Sequence, residues 1–142
     1  MPAPGRRAAC LLVLVSAGVA GCGGDGAEWA GPPPAAADGA VSVAGFGVAA
    51  RSPLDTAAAF LRLDEREAAT TTLVSRTGAE GGALATVTAT FDGLLDDSVR
   101  AERYVLELER ADDGTWHLVS AALGRRCQAG RGHQAFTPAP CV

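Results

Sequence analysis

Leu84-Ala85-Thr86-Val87-Thr88-Ala89-Thr90-Phe91 is the stretch on which the fold turns. Ala85, Val87, Ala89 and Phe91 fall on one parity, and Thr86, Thr88 and Thr90 on the other. A period of two is that of a β-strand with one buried face. Upstream, Gly78-Ala79-Glu80-Gly81-Gly82 has turn composition, and Thr70 to Arg76 is rich in β-branched residues, so a second strand is expected there. Downstream, Tyr104, Leu106 and Leu108 oppose Glu107 and Glu109, again at strand spacing. Ala111-Asp112-Asp113-Gly114 reads as a hairpin turn into a last strand, Trp116 to Leu123. Both parities of that strand carry apolar residues, which predicts cover on both of its faces.

The segment before these strands has the other period. Ser52-Pro53-Leu54-Asp55 offers an N-cap hydroxyl, a proline in the first turn and an early acid. Leu54, Ala57, Ala58 and Leu61 then recur at helical spacing beside Phe60. The expectation is a helix over Pro53–Glu67, its end Asp64-Glu65-Arg66-Glu67 facing solvent. The fold class that follows is α+β: one helix packed on an antiparallel sheet of about four strands, over residues 52–142. This order resembles the cystatin-like and NTF2-like folds in broad outline.

The 142 residues are 48% hydrophobic, but 30 of them are Ala and four are Cys. Residues 51–142 hold 22 large apolar side chains, a thin core for an independent domain. All 12 basic residues are Arg and the net charge is −4. A large enzyme, a multi-span membrane protein and a strongly basic nucleic-acid binder are excluded on these grounds, so no nucleic acid is expected as a partner.

At the N-terminus, Arg6 and Arg7 precede the short apolar run Ala8–Val19, and Val19-Ala20-Gly21-Cys22 follows. The run is too short for a membrane span of about 20 apolar residues. Together these parts resemble the bacterial lipoprotein signal and its lipobox. The resemblance implies lipid on the Cys22 sulfur, cleavage between Gly21 and Cys22, and a mature protein outside the cytoplasm, held on a bacterial membrane by lipid without spanning it. Residues 1–21 are then a signal peptide. Residues 22–51, with Pro32-Pro33-Pro34 and many Gly and Ala, read as a flexible tether. Within the tether, Trp29 reads as an incidental exposed residue, with insertion into the lipid interface as the alternative, while Val41-Ser42-Val43 and Phe46-Gly47-Val48 are candidates for a short edge strand.

With Cys10 removed and Cys22 lipidated, Cys127 and Cys141 remain. In the oxidising compartment that the lipobox implies, they are expected to form a disulfide. The alternative is Zn²⁺ held by Cys127, His133 and Cys141, which lacks a fourth ligand nearby.

Charge is split along the chain. Residues 55–113 carry 13 acids and 6 Arg, a balance of −7; residues 114–142 carry 3 Arg and no acid, a balance of +3. The basic tail either docks on the acidic sheet as an internal clasp, or presents Arg125, Arg126, Arg131 and His133 as an anion-binding patch for a wall polymer or lipid headgroup. Asp92, Asp96 and Asp97 read as a solvated turn, with Ca²⁺ as the alternative. Only His117 and His133 can act as imidazole bases, and neither stands in a nucleophile motif. No catalytic residue, metal or cofactor is therefore assigned. The function expected is a non-catalytic binding or interaction module of the cell envelope, meeting an envelope protein or anionic polymer. The alternative is a small-ligand carrier with a pocket lined by Phe60, Leu61, Val87 and Leu106; a hydrolase-type enzyme has the least support.

Overall fold

The computed structural model describes residues 28–79 and 82–142. The signal segment, Gly21 and Cys22 lie outside the described residues. Five strands and one α-helix follow in chain order: β1 (Ala40–Val41), α1 (Pro53–Leu61), a 3-10 turn (Leu63–Glu65), β2 (Thr70–Thr77), β3 (Leu84–Asp92), β4 (Val99–Arg110) and β5 (Trp116–Cys127). The strands form one antiparallel sheet in the order β1-β5-β4-β3-β2, and α1 packs against β5, β3 and β2. The α+β class is as expected, with five strands in place of about four. The fifth is β1, which pairs Ala40 with Ala122 and Val41 with Ala121.

The alternation that predicted β3 is the alternation of the core. Ala85, Val87, Ala89 and Phe91 are buried beneath α1, together with Phe60, Leu61, Tyr104, Leu106 and Leu108. The opposite face carries Thr86, Thr88, Thr90 and Val105. Strand β5 departs from its expected form. Its register to β4 shifts between Glu107 and Leu108, where Ser120 pairs with Glu107 but Leu118 pairs with Leu108. Val119 is the extra residue of a β-bulge. The parity of the buried side chains therefore switches, from Trp116 and Leu118 before the bulge to Ala121 and Leu123 after it. From Trp116 to Leu123 the mixed apolar pattern is one face read across a bulge; on the other face the cover begins at Gly124, where Phe136 lies against the strand.

The helix begins as predicted. Ser52 Oγ accepts the Asp55 N–H at 3.3 Å, and Pro53 takes a first-turn position. It stops at Leu61 rather than Glu67. Arg62 adopts the left-handed conformation, φ 50°, and its N–H turns back to Ala58 and Ala59 carbonyls. The charged residues beyond it cap the helix instead of extending it: Arg66 Nε donates to the Leu61 carbonyl at 3.1 Å. Thr56, the one polar residue fully buried on the helix, ties it to the sheet. Its Oγ1 donates to the Trp116 carbonyl at 3.0 Å and accepts the Ala50 N–H at 3.1 Å.

The expected tether and the Ser52 boundary need correction. From Trp29 onward the chain is packed on the domain. The Trp29 ring stacks on Phe60 with centroids 5.3 Å apart, Phe46 meets both rings edge-on at 5.2 Å, and Trp29 Nε1 donates to the Phe60 carbonyl at 2.8 Å. Arg62 Nη1 holds the Trp29 carbonyl at 3.0 Å. Trp29 is half-buried, not incidental. Pro and Gly spacing carried the tether reading; the aromatic contacts across 31 residues that override it have no local signature.

Candidate functional site

The residues singled out for chemistry converge on the C-terminal end of β5 and the loop after it. Cys127, fully buried, is disulfide-bonded to Cys141, with Cα atoms 5.4 Å apart. The loop between them closes tightly. The Cys127 N–H donates to the His133 carbonyl at 3.0 Å, and Gln134 Nε2 lies 3.3–3.4 Å from the carbonyls of Cys127, Gln128 and Gly132. A Cβ at position 132 would stand 3.0 Å from the Cys127 sulfur, and the backbone there has φ +133°, so glycine is required on both counts.

Within the same loop the chain returns across the outer face of the sheet. Thr137 bridges to Arg125 through two backbone bonds of 2.7 and 3.0 Å. Phe136 lies against Gly124 and stacks beneath the Arg103 guanidinium at 3.9 Å, with Arg126 at 5.2 Å from the ring centroid.

The four residues of the alternative anion-binding patch are not assembled as one. Arg126 Nη2 donates to Asp92 at 2.6 Å, and Arg125 Nε lies 3.7 Å from Glu102. His133 is held in the loop, Nδ1 2.9 Å from the Ala135 carbonyl and Nε2 3.0 Å from that of Ala139. Only Arg131 extends into solvent. The geometry is that of a clasp, in which basic residues near the chain end meet acids on β3 and β4. Asp92 shows its electrostatic effect. Desolvation pushes its carboxyl up, but bonds from Arg126, the Gly93 N–H and Arg100, with the Arg126 charge, outweigh this and hold it below the ordinary carboxylate value.

A second network escaped the sequence reading altogether. Arg66 donates to Glu102 at 3.0 Å and to the Tyr104 hydroxyl at 2.9 Å, while its guanidinium lies over Phe91 and Tyr104 at 4.6 and 4.8 Å. Burial, then the Glu102 charge, push the Tyr104 hydroxyl up. Glu102 is thus shared by Arg66 and Arg125, joining the helix end to the C-terminal clasp. Partners 36 and 38 residues apart left no motif to find.

The remaining candidates resolve as follows. The ligand atoms of Cys127, His133 and Cys141 lie within 4.8 Å of one another, but the two sulfurs are bonded together and both imidazole nitrogens face carbonyls. The cystine form offers a metal no thiolate. Asp92 belongs to Arg126 and Arg100. Asp96 closes a turn by accepting the Val99 and Ser98 N–H groups at 2.6 and 2.8 Å, which lower its carboxyl. His117 Nε2 contacts Thr115 Oγ1 at 3.1 Å, and that hydroxyl donates to Asp113 at 2.6 Å. The order Asp–Thr–His gives the hydroxyl proton to the carboxylate and leaves the imidazole without a nucleophile to activate. Phe60, Leu61, Val87 and Leu106 are each 0–1% exposed and fill the space between helix and sheet, where the carrier reading required a cavity.

Among the described residues, no helix is long and apolar enough to cross a membrane. No protein-family model, curated protein or solved structure matches this chain.

Proposed function

We propose that this chain is a lipid-anchored bacterial cell-envelope protein whose α+β head is a non-catalytic interaction module. The observation that carries the reading is the Cys127–Cys141 disulfide, because such a bond persists outside the reducing cytoplasm. That is the compartment to which Val19-Ala20-Gly21-Cys22 would deliver it. The head supports a binding rather than a carrier role: its helix–sheet interior is filled, and its imidazoles are engaged with loop carbonyls or a turn hydroxyl. Anchoring by two or more acyl chains at Cys22 would hold the head firmly at a membrane surface.

The test is intact-mass spectrometry of the protein from its cells, beside a Cys22→Ala variant. The expected result is loss of residues 1–21 with a diacylglyceryl mass on the Cys22 sulfur, and transfer of the variant out of the membrane fraction. An unmodified Cys22 or a retained N-terminus overturns the reading.

A further inference from the structure

The sheet has two edges, and they are treated differently. Along β5 the outer backbone groups are used repeatedly. Trp116 donates to the Ala50 carbonyl at 2.7 Å, Leu123 to Gly39 at 2.8 Å, Arg125 to Thr137 at 2.7 Å and Cys127 to His133 at 3.0 Å. At the other edge, β2 pairs with β3 in unbroken register over eight residues, and among the described residues nothing pairs with its far side. The Gly78 N–H donates to the Leu84 carbonyl, and Arg110 donates to Ala83 on the other side of β3. Antiparallel alternation then points the backbone groups of Thr70, Thr72, Val74 and Arg76 at β3, and those of Thr71, Leu73, Ser75 and Thr77 outward. The strand Thr-Thr-Thr-Leu-Val-Ser-Arg-Thr carries only one of the usual guards of an open edge, the charge of Arg76, and has no Pro, no Lys and no bulge.

We propose that β2 is a docking strand for a second copy of this chain, the two β2 strands pairing antiparallel about a two-fold axis at Val74 to give one continuous sheet. Any antiparallel partner would pair the outward groups and join like faces; a second copy is singled out by the side chains that this register places opposite one another. In this register Thr71, Leu73, Ser75 and Thr77 face Thr77, Ser75, Leu73 and Thr71 of the other copy, so every outward N–H and C=O finds a partner. Residues opposite each other share a face, so the helix-covered faces of the two copies become continuous. Val74, 44% exposed on the outer face, meets its own copy, while Arg76, the only charge in the strand, faces Thr72 and not another Arg76. An open cleft of about 430 Å³ beside this edge, lined by Val74, Arg76, Thr86 and Thr88, would then run on into the second molecule.

Opposed Val74 residues form a non-hydrogen-bonded pair, with Cα atoms about 4.5 Å apart, within disulfide reach. Full-length Val74→Cys is therefore compared with Thr72→Cys on non-reducing gels after mild oxidation, with the unsubstituted chain as the background for Cys10 and Cys22. The expected result is a covalent dimer with Val74→Cys and none above background with Thr72→Cys. Val74→Lys, which opposes two ammonium groups, is expected to convert a dimer into a monomer in sedimentation equilibrium without changing its cooperative melt. A native chain that sediments as a monomer, equal cross-linking at both positions, or a Val74→Cys adduct with a protein of another mass overturns the proposal. None of these readouts depends on lipid at Cys22, so the anchoring test and this one fail separately.

Discussion

Asp92 shows how much of this molecule rests on single side chains meeting across long stretches of sequence. Its carboxylate receives Arg126, 34 residues away, and Arg100, while the Gly93 N–H closes the turn beneath it. Both ion pairs are partly open to solvent, so each is worth at most about 1 kcal/mol. The sign of the pH effect follows from the lowered native value. A carboxyl bound less tightly by protons in the native than in the unfolded chain adds stability at pH above its ordinary 3.8, and loses it as pH falls below that toward the native value. Asp92→Asn is expected to be less stable than the parent at pH 7 by about 1 kcal/mol. The difference between the two should shrink as urea melts are repeated below pH 3.8. A gap that is constant with pH would show that Asp92 acts through packing or the turn alone.

At the scale of elements, the bulge in β5 gives the sharpest test of why the sheet has its register. The Cα partners of β4 and β5 sum to 227 from Ala101 to Glu107 and to 226 from Leu108 onward, because Val119 is an extra residue. Deleting Val119 would bring both halves to one register and place Trp116, Leu118, Ala121 and Leu123 on one unbroken parity. Deleting Val105 from the regular stretch of β4 would instead turn Leu106 and Leu108 away from the core. The Val119 deletion is expected to keep a cooperative melt within a few degrees of the parent, and the Val105 deletion to lose it; circular dichroism separates the two. The same comparison shows what was legible beforehand. The alternation in β3 announced a buried face residue by residue, as did the cap Ser52-Pro53. In β5 a bulge breaks the periodicity, so apolar residues on both parities suggest cover on both faces. The helix end is not legible, because charged residues at helical spacing look the same whether they extend a helix or, like Arg66, fold back to cap it. Trp29 and Phe46 have no period at all, so their packing on Phe60 could be learned only from the folded chain. The cystine was anticipated from compartment and count, whereas the pairing of Arg125 and Arg126 with particular acids was not.

On the scale of the whole molecule, both flanking segments end on β5. The segment from Trp29 to Ala50 supplies β1 and the Ala50–Trp116 bridge; the C-terminal tail supplies the Thr137 bridge and the cystine. A core this thin leaves stability near the ordinary margin of about 5–15 kcal/mol, so a cross-link is a large fraction of the total. The two cysteines are separated by 14 positions, and a loop of that size is worth about 3 kcal/mol in the chain-entropy model. The pair Cys127→Ala and Cys141→Ala is therefore expected to be less stable by about that amount in urea melts. Its effect should also be local. The Arg125 N–H, bonded to the Thr137 carbonyl of the tail, should exchange with solvent much faster than in the parent, while the Leu123 N–H, bonded to Gly39 ahead of β1, should keep its protection relative to global unfolding. Equal protection at both positions would mean that Phe136, Arg103 and the Arg126–Asp92 pair hold the tail without the cystine. The disulfide would then stabilise the fold through the unfolded chain alone, and the charged clasp would by itself close that edge of the sheet.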